Sequence, residues 1–70
     1  MKQISLDNGH SYMDASEAMT EIMERGLWET VVSLMDDGIR EAVADDMAPC
    51  SEEEFLKEYL ARANDDLVVG

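Results

Sequence analysis

Apolar and polar residues alternate over "QISLDNGHSYM" (residues 3–13), with Ile4 and Leu6 between polar neighbours and a return through Ser11, Tyr12 and Met13. The alternation is broken at Asp7-Asn8-Gly9, and period-two patterning around Asn-Gly predicts a β-hairpin. The period then changes to that of a helix. Asp14 and Glu17 form a capping-box-like start, with Asp in place of Ser or Thr, and Ala15, Ala18, Met19, Ile22 and Met23 recur at three- and four-residue steps up to Gly26, a natural stop. In "LWETVVSLMDDG" the apolar residues Leu27, Trp28, Val31, Val32, Leu34 and Met35 cover more than a narrow stripe. That width predicts a central second helix buried on most sides and anchored by Trp28.

Gly38 reads as the break before a short third helix carrying Ile39, Ala42, Val43 and Met47, which must end before Pro49 because proline disfavours helical geometry in the residue preceding it. Ser51 and Glu54 open a fourth helix with a capping box, and Phe55, Leu56, Tyr59, Leu60 and Ala63 share one face of it. The closing "DDLVVG" is too short for a helix, but Leu67, Val68 and Val69 are strand formers that can join the hairpin. A lone hairpin is marginal in water, so the expected architecture is α+β: a small three-stranded sheet, made of the N-terminal hairpin and the C-terminal strand, packed against about four helices. Seventy residues allow one domain, 1–70, with a small core.

Composition changes the picture chiefly through charge. Seventeen Asp and Glu face five Lys and Arg, a formal charge of −12, while 46 % hydrophobic residues argue for a folded chain. Such a surface is drawn to basic proteins and repelled by nucleic acid, so no direct DNA or RNA binding is expected. Cys50 is the only cysteine, which excludes an internal disulfide and fits a reducing compartment; with no apolar leader in "MKQISLDNGH" and no span-length apolar run, the expected location is the cytoplasm, off the membrane.

Little here supports catalysis or a cofactor. His10 is the only histidine and reads as a turn residue beside Gly9, and neither a phosphate-binding glycine loop nor a nucleophile elbow occurs. "DDGIREAVADD" lacks the alternating ligands of a calcium loop, and Glu52, Glu53 and Glu54 disfavour a thiolate at Cys50, leaving it a structural role. The methionines on helix faces read as core. Neither enzyme activity, cofactor nor metal is therefore expected.

Sorting the acids by local partner isolates a subset. Glu21 with Arg25, Glu53 with Lys57 and Glu58 with Arg62 are i,i+4 pairs in the favourable order, Asp7 belongs to a turn, Asp14 caps, and Glu52–Glu54 suit a helix's positive end. Asp36, Asp37, Glu41, Asp45, Asp46, Asp65 and Asp66 remain, with Asp37 a candidate cap for the third helix. Asp36, Asp45 and Asp46 fall in expected last helical turns, where a carboxylate meets the negative dipole end at roughly 0.3 to 1 kcal/mol, and Glu41 repels Asp45. Violations of this kind are expected where a surface serves a partner. These seven are the candidate binding residues, aimed at the Lys and Arg of a basic nucleic-acid-binding complex, with carboxylate rows on neighbouring helices loosely approaching the charge spacing of a duplex.

The "ISLDNGHSY" start, the "LMDDGIREAVADDMAPCSEEEFLKEYL" body and the "DDLVVG" end together resemble a family of small acidic anti-CRISPR proteins of mobile elements, of the type I-C kind. The resemblance implies a phage- or plasmid-encoded, non-enzymatic inhibitor that binds the crRNA-guided surveillance complex, with DNA mimicry as one route. It assigns no individual residue. Two further readings fit the same charge pattern: an antitoxin or immunity protein neutralising a basic nuclease, and an acidic adaptor domain.

Overall fold

The computed structural model describes residues 2–70. Strand β1 (Ile4–Ser5) is followed by helices α1 (Ala15–Arg25), α2 (Trp28–Leu34), α3 (Asp37–Met47) and α4 (Glu52–Arg62), and strand β2 (Leu67–Val68) ends the order. The fold is α+β, as the sequence patterning predicts, but the sheet is not the expected three-stranded one. It has two strands, β1 and β2, paired in parallel with Ile4 opposite Leu67 and Ser5 opposite Val68. A parallel pair needs a long crossover, and here all four helices supply it.

The hairpin's return arm is reduced to one antiparallel bridge, Ile4 to Met13, with N–H···O distances of 3.0 and 2.9 Å. Side chains in the turn explain why the ladder stops there. Asn8 and Gly9 both take positive φ (59° and 87°), as an Asn-Gly turn requires. The Asp7 carboxylate then accepts the Ser11 backbone N–H at 2.9 Å, the Ser11 hydroxyl at 2.6 Å and the Ser5 hydroxyl at 2.8 Å, so Ser11 bonds to the turn instead of extending a strand. The fully buried Ser5 Oγ in turn accepts the Gly9 N–H at 2.8 Å.

These bonds, from Ser11 first and Ser5 next, hold the Asp7 carboxyl well below the usual carboxylate range. A depressed folded-state value means that the stabilisation is fully present above the unfolded value of about 3.9 and is lost as the pH falls through the folded one. We expect the melting temperature of Asp7→Asn to lie below that of the parent at pH 6, with the gap closing progressively below about pH 4. A gap that persists unchanged at pH 2 would refute the role given to the carboxylate.

Helix boundaries follow side-chain chemistry. Asp14 caps α1 by accepting the Glu17 N–H at 2.9 Å, and Gly26 ends it in the left-handed region (φ 64°), with Leu27 N–H reaching back to Ile22 C=O at 2.9 Å. Ser51 Oγ caps α4 through the Glu54 N–H at 3.2 Å. The break between α2 and α3 lies at Met35–Asp36 and not at Gly38, which sits inside the first turn of α3. Asp36, rather than the expected Asp37, caps α3 and accepts the Ile39 N–H at 3.0 Å.

The core joins Ile4, Leu6, Ala18, Met19, Ile22, Val31, Met35, Leu56, Tyr59, Leu60, Leu67 and Val69 from both strands and from α1, α2 and α4. The central helix is α4, which packs against both α1 and α3. The expectation for the second helix is therefore corrected. In seven residues α2 buries only Val31; Leu34 is 49 % exposed, and Trp28 is half-buried with its ring meeting that of Phe55 edge-to-face at 6.3 Å between centroids. Met23, expected in the core, is 60 % exposed. Parallel pairing ties the two ends together: Leu67 N–H to Gln3 C=O at 3.0 Å, Val69 N–H to Ser5 C=O at 2.8 Å, and Asn8 N–H to Val69 C=O at 2.9 Å.

Candidate functional site

The seven candidate carboxylates fall into two groups that meet at the N-terminal end of α3. Asp37, Glu41 and Asp45 stand at i,i+4 spacing along α3, so they share a face at about 6 Å of axial rise per step. All three residues are exposed. Asp37 pairs with Arg40 at 3.1 Å, and Arg40 also donates to Val32 C=O at 3.5 Å. Among the described residues, the side chains of Glu41 and Asp45 make no hydrogen bond or ion pair. Asp45 lies in the last turn of α3, which carries no basic residue, so its conflict with the helix dipole stands as expected.

Asp46 also lies in that last turn, but it has a partner that sequence spacing does not reveal. Arg62 at the end of α4 donates from one guanidinium nitrogen to Asp46 at 2.8 Å and from Nε to Glu58 at 2.7 Å. The two carboxylates, Glu58 foremost, raise the guanidinium's already high proton affinity. One cation thus joins α3 to α4 while leaving this triad with a net negative charge.

Asp36, Asp65 and Asp66 form the second group. All three line one surface pocket of about 310 Å³ together with Leu34, Ile39, Tyr59, Ala63, Asn64 and Leu67. Two of the carboxylates are held in place by backbone donors. Asp36 is the α3 cap, and Asp66 Oδ1 accepts the Gln3 N–H at 2.9 Å. Tyr59, 5 % exposed, also lines the pocket, and its hydroxyl oxygen accepts the Asp36 N–H at 2.8 Å. The sequence pattern predicts Asp36 at the negative end of the second helix, whereas it occupies the positive end of α3, where its charge is favourable.

Tyr59 is buried on the apolar face of α4, as its spacing predicts, but that spacing carries no sign of its bond to Asp36 or of the pocket that it helps to line. Nor was Arg62 foreseen as a bridge to α3. Among the described residues, no group of three or more His, Cys, Asp or Glu side chains is arranged to hold a metal ion. Among the described residues, no helix is long and apolar enough to cross a membrane.

The family model "Anti-CRISPR protein AcrIC5" matches residues 2–63. The chain belongs to this AcrIC5 anti-CRISPR family. The match takes in β1 and all four helices and leaves β2, Asp65 and Asp66 outside it. No curated protein and no solved structure matches the chain. Membership in AcrIC5 carries an anti-CRISPR inhibitor function, and anti-CRISPR families are generally non-enzymatic and directed at CRISPR–Cas complexes.

Proposed function

We propose that the protein blocks a type I CRISPR surveillance complex in the cytoplasm of a bacterial host by covering a basic DNA-binding surface with an acidic face. Asp36, Asp37, Glu41, Asp45, Asp46, Asp65 and Asp66 supply that face, on a single domain that works without cofactor or catalysis. The supporting observation is the pair Glu41 and Asp45, exposed on α3 four residues apart and without a cationic partner among the described residues, in a chain of net charge −12. Two unpaired carboxylates that repel each other weaken the helix, and a surface of Lys and Arg on a partner reverses the sign of that interaction.

A single carboxylate row at about 6 Å per charge is sparser than a duplex, which carries one charge per roughly 1.7 Å of axis. The mimicry is therefore one of sign and local placement and not a replica of the phosphate lattice. The Asp46–Arg62–Glu58 bridge and the pocket carboxylates widen the negative face beyond the α3 row.

Competition tests this reading. With the surveillance complex immobilised, the protein is expected to bind the DNA-free complex and to lose at least about tenfold in affinity when target duplex is bound first. Its binding is also expected to weaken steadily between about 0.05 and 0.5 M salt as the Debye length shortens, and the protein alone is expected to leave a free duplex unshifted in a gel. Equal binding to the DNA-loaded complex, or a saturable shift of free duplex, would overturn DNA mimicry and leave only the family-level function.

A further inference from the structure

The pocket between the start of α3 and the end of α4 differs from the α3 row in kind, because it is a cavity and not a row of charges on a convex surface. At about 310 Å³ it lies at the small end of ligand-pocket sizes, which run from about 300 to 1,000 Å³. One side chain fits that size better than an extended ligand. Its lining combines Leu34 and Ile39 with carboxylates from two separate parts of the chain, Asp36 at the start of α3 and Asp65 and Asp66 after the end of α4.

The chemistry of the lining specifies an occupant. Asp36 and Asp66 each commit one carboxylate oxygen to a backbone N–H and keep the other, while Asp65 makes no side-chain bond among the described residues. Tyr59 accepts one N–H and retains a second lone pair. The lining is thus rich in acceptors, yet among the described residues no three acidic side chains are grouped closely enough to hold a metal ion. A large, flat, multi-donor cation fits this arrangement. The guanidinium group presents five N–H donors in a fixed plane and is more weakly hydrated than an ammonium, so it gives up less on entering a half-enclosed site. Its aliphatic stem suits Leu34 and Ile39.

We propose that this pocket receives one arginine side chain of the partner protein, its guanidinium held among Asp36, Asp65, Asp66 and the Tyr59 hydroxyl. The identity of that partner rests on the function proposed above; the preference for arginine rests on the pocket alone. Because Asp36 and Asp66 are pinned by backbone bonds, the carboxylates lose little freedom when the arginine enters.

The test needs no CRISPR complex. The full chain, labelled with ¹⁵N, is titrated with N-acetyl-argininamide, and in parallel with N-acetyl-lysinamide and N-acetyl-alaninamide at matched salt. Saturable amide shifts are expected at Asp36, Ile39 and Asn64–Leu67 with the arginine probe, at a Kd on the order of millimolar, as for a single small contact. Asp65→Asn is expected to weaken this binding by at least about threefold, the loss of one charge-assisted contact. Ala63→Phe fills the cavity without changing charge and is expected to abolish the saturable response. Unchanged shifts elsewhere in each variant's spectrum verify its fold, and Asp65→Asn, an exposed position, decides the matter should Ala63→Phe perturb the helix end.

Linear shifts spread over every acidic helix, an equal response to the lysine probe, or full binding by a folded Ala63→Phe would each overturn the proposal. Failure here with competition intact leaves the DNA-mimic reading standing. An intact titration with failed competition removes that reading alone.

Discussion

Leu60→Ala is expected to cost about 2 to 5 kcal/mol, the range for truncating a fully buried leucine to alanine. Leu60 has no exposed surface and lies on α4, the helix that packs against both α1 and α3. Its carbonyl also accepts the Lys2 N–H at 3.3 Å, so a disturbance there reaches the N-terminal segment. At roughly 0.05 to 0.15 kcal/mol per residue, a chain of this size has a total stability of about 3.5 to 10 kcal/mol. The substitution therefore removes a large share, and a urea melt is expected to show either a sharply lowered midpoint or no folded baseline. Trp28→Ala is the informative comparison. A half-buried indole whose edge contact is with the partly buried Phe55 withdraws less area from water than full burial would, so its truncation is expected to cost less than Leu60→Ala despite the larger side chain. The reverse order would restore α2 as the organising helix.

That comparison marks where the sequence is readable and where it is not. Helix starts written in local chemistry, Asp14 and Ser51, appear where the capping patterns put them, and so does the stop at Gly26. The buried face of α4, with Leu56, Tyr59 and Leu60, follows its three- and four-residue spacing. The errors share a cause, which is that burial and pairing depend on what lies opposite. Leu27, Val32 and Leu34 give α2 a broad apolar surface, but a seven-residue helix at the edge of a small core has too few neighbours to cover it. Leu67 and Val68 do form a strand, yet its parallel direction depends on where four helices deliver the chain. The third strand failed because Asp7 recruits Ser11 into the turn, a bond that alternation of polar and apolar residues does not encode.

The same distinction governs the candidate site. The excess of acid was plain from composition, and the family resemblance rested on stretches that the AcrIC5 match largely covers. Which acids are already occupied was not plain, because their partners are distant in sequence. Arg62 lies sixteen residues from Asp46, and the Tyr59 hydroxyl that receives the Asp36 N–H lies twenty-three residues away. Asp36 turns from an apparent dipole conflict into a cap, and Asp46 from an idle acid into a bridge. Glu41 and Asp45 keep the character that the sequence suggested, which makes them the sharpest probe of what the acidity is for.

Replacing both, as Glu41→Gln with Asp45→Asn, is expected to leave stability unchanged or raise it. The change removes an i,i+4 repulsion of roughly 0.2 to 0.5 kcal/mol and, at Asp45, a dipole conflict of roughly 0.3 to 1 kcal/mol, and it breaks no hydrogen bond among the described residues. Binding to the CRISPR complex is expected to move in the opposite direction. A carboxylate meeting Lys or Arg at a partly desolvated interface contributes on the order of 1.5 kcal/mol, so two lost contacts amount to about 3 kcal/mol and roughly a hundredfold in Kd. Asp46→Asn provides the control with a structural partner: it releases Arg62 from one of its two carboxylates and is expected to change stability by no more than about 1 kcal/mol, as for an exposed ion pair. Measured together, melting temperature and affinity for the complex separate two origins of the acidity. Acids kept for solubility would leave affinity unmoved when neutralised, and acids needed for folding would lower the melting temperature. A double variant that melts at or above the parent's temperature and inhibits a hundredfold more weakly fits neither origin and places the two carboxylates against the partner's cations, whereas one that inhibits as well as the parent removes α3 from the interface.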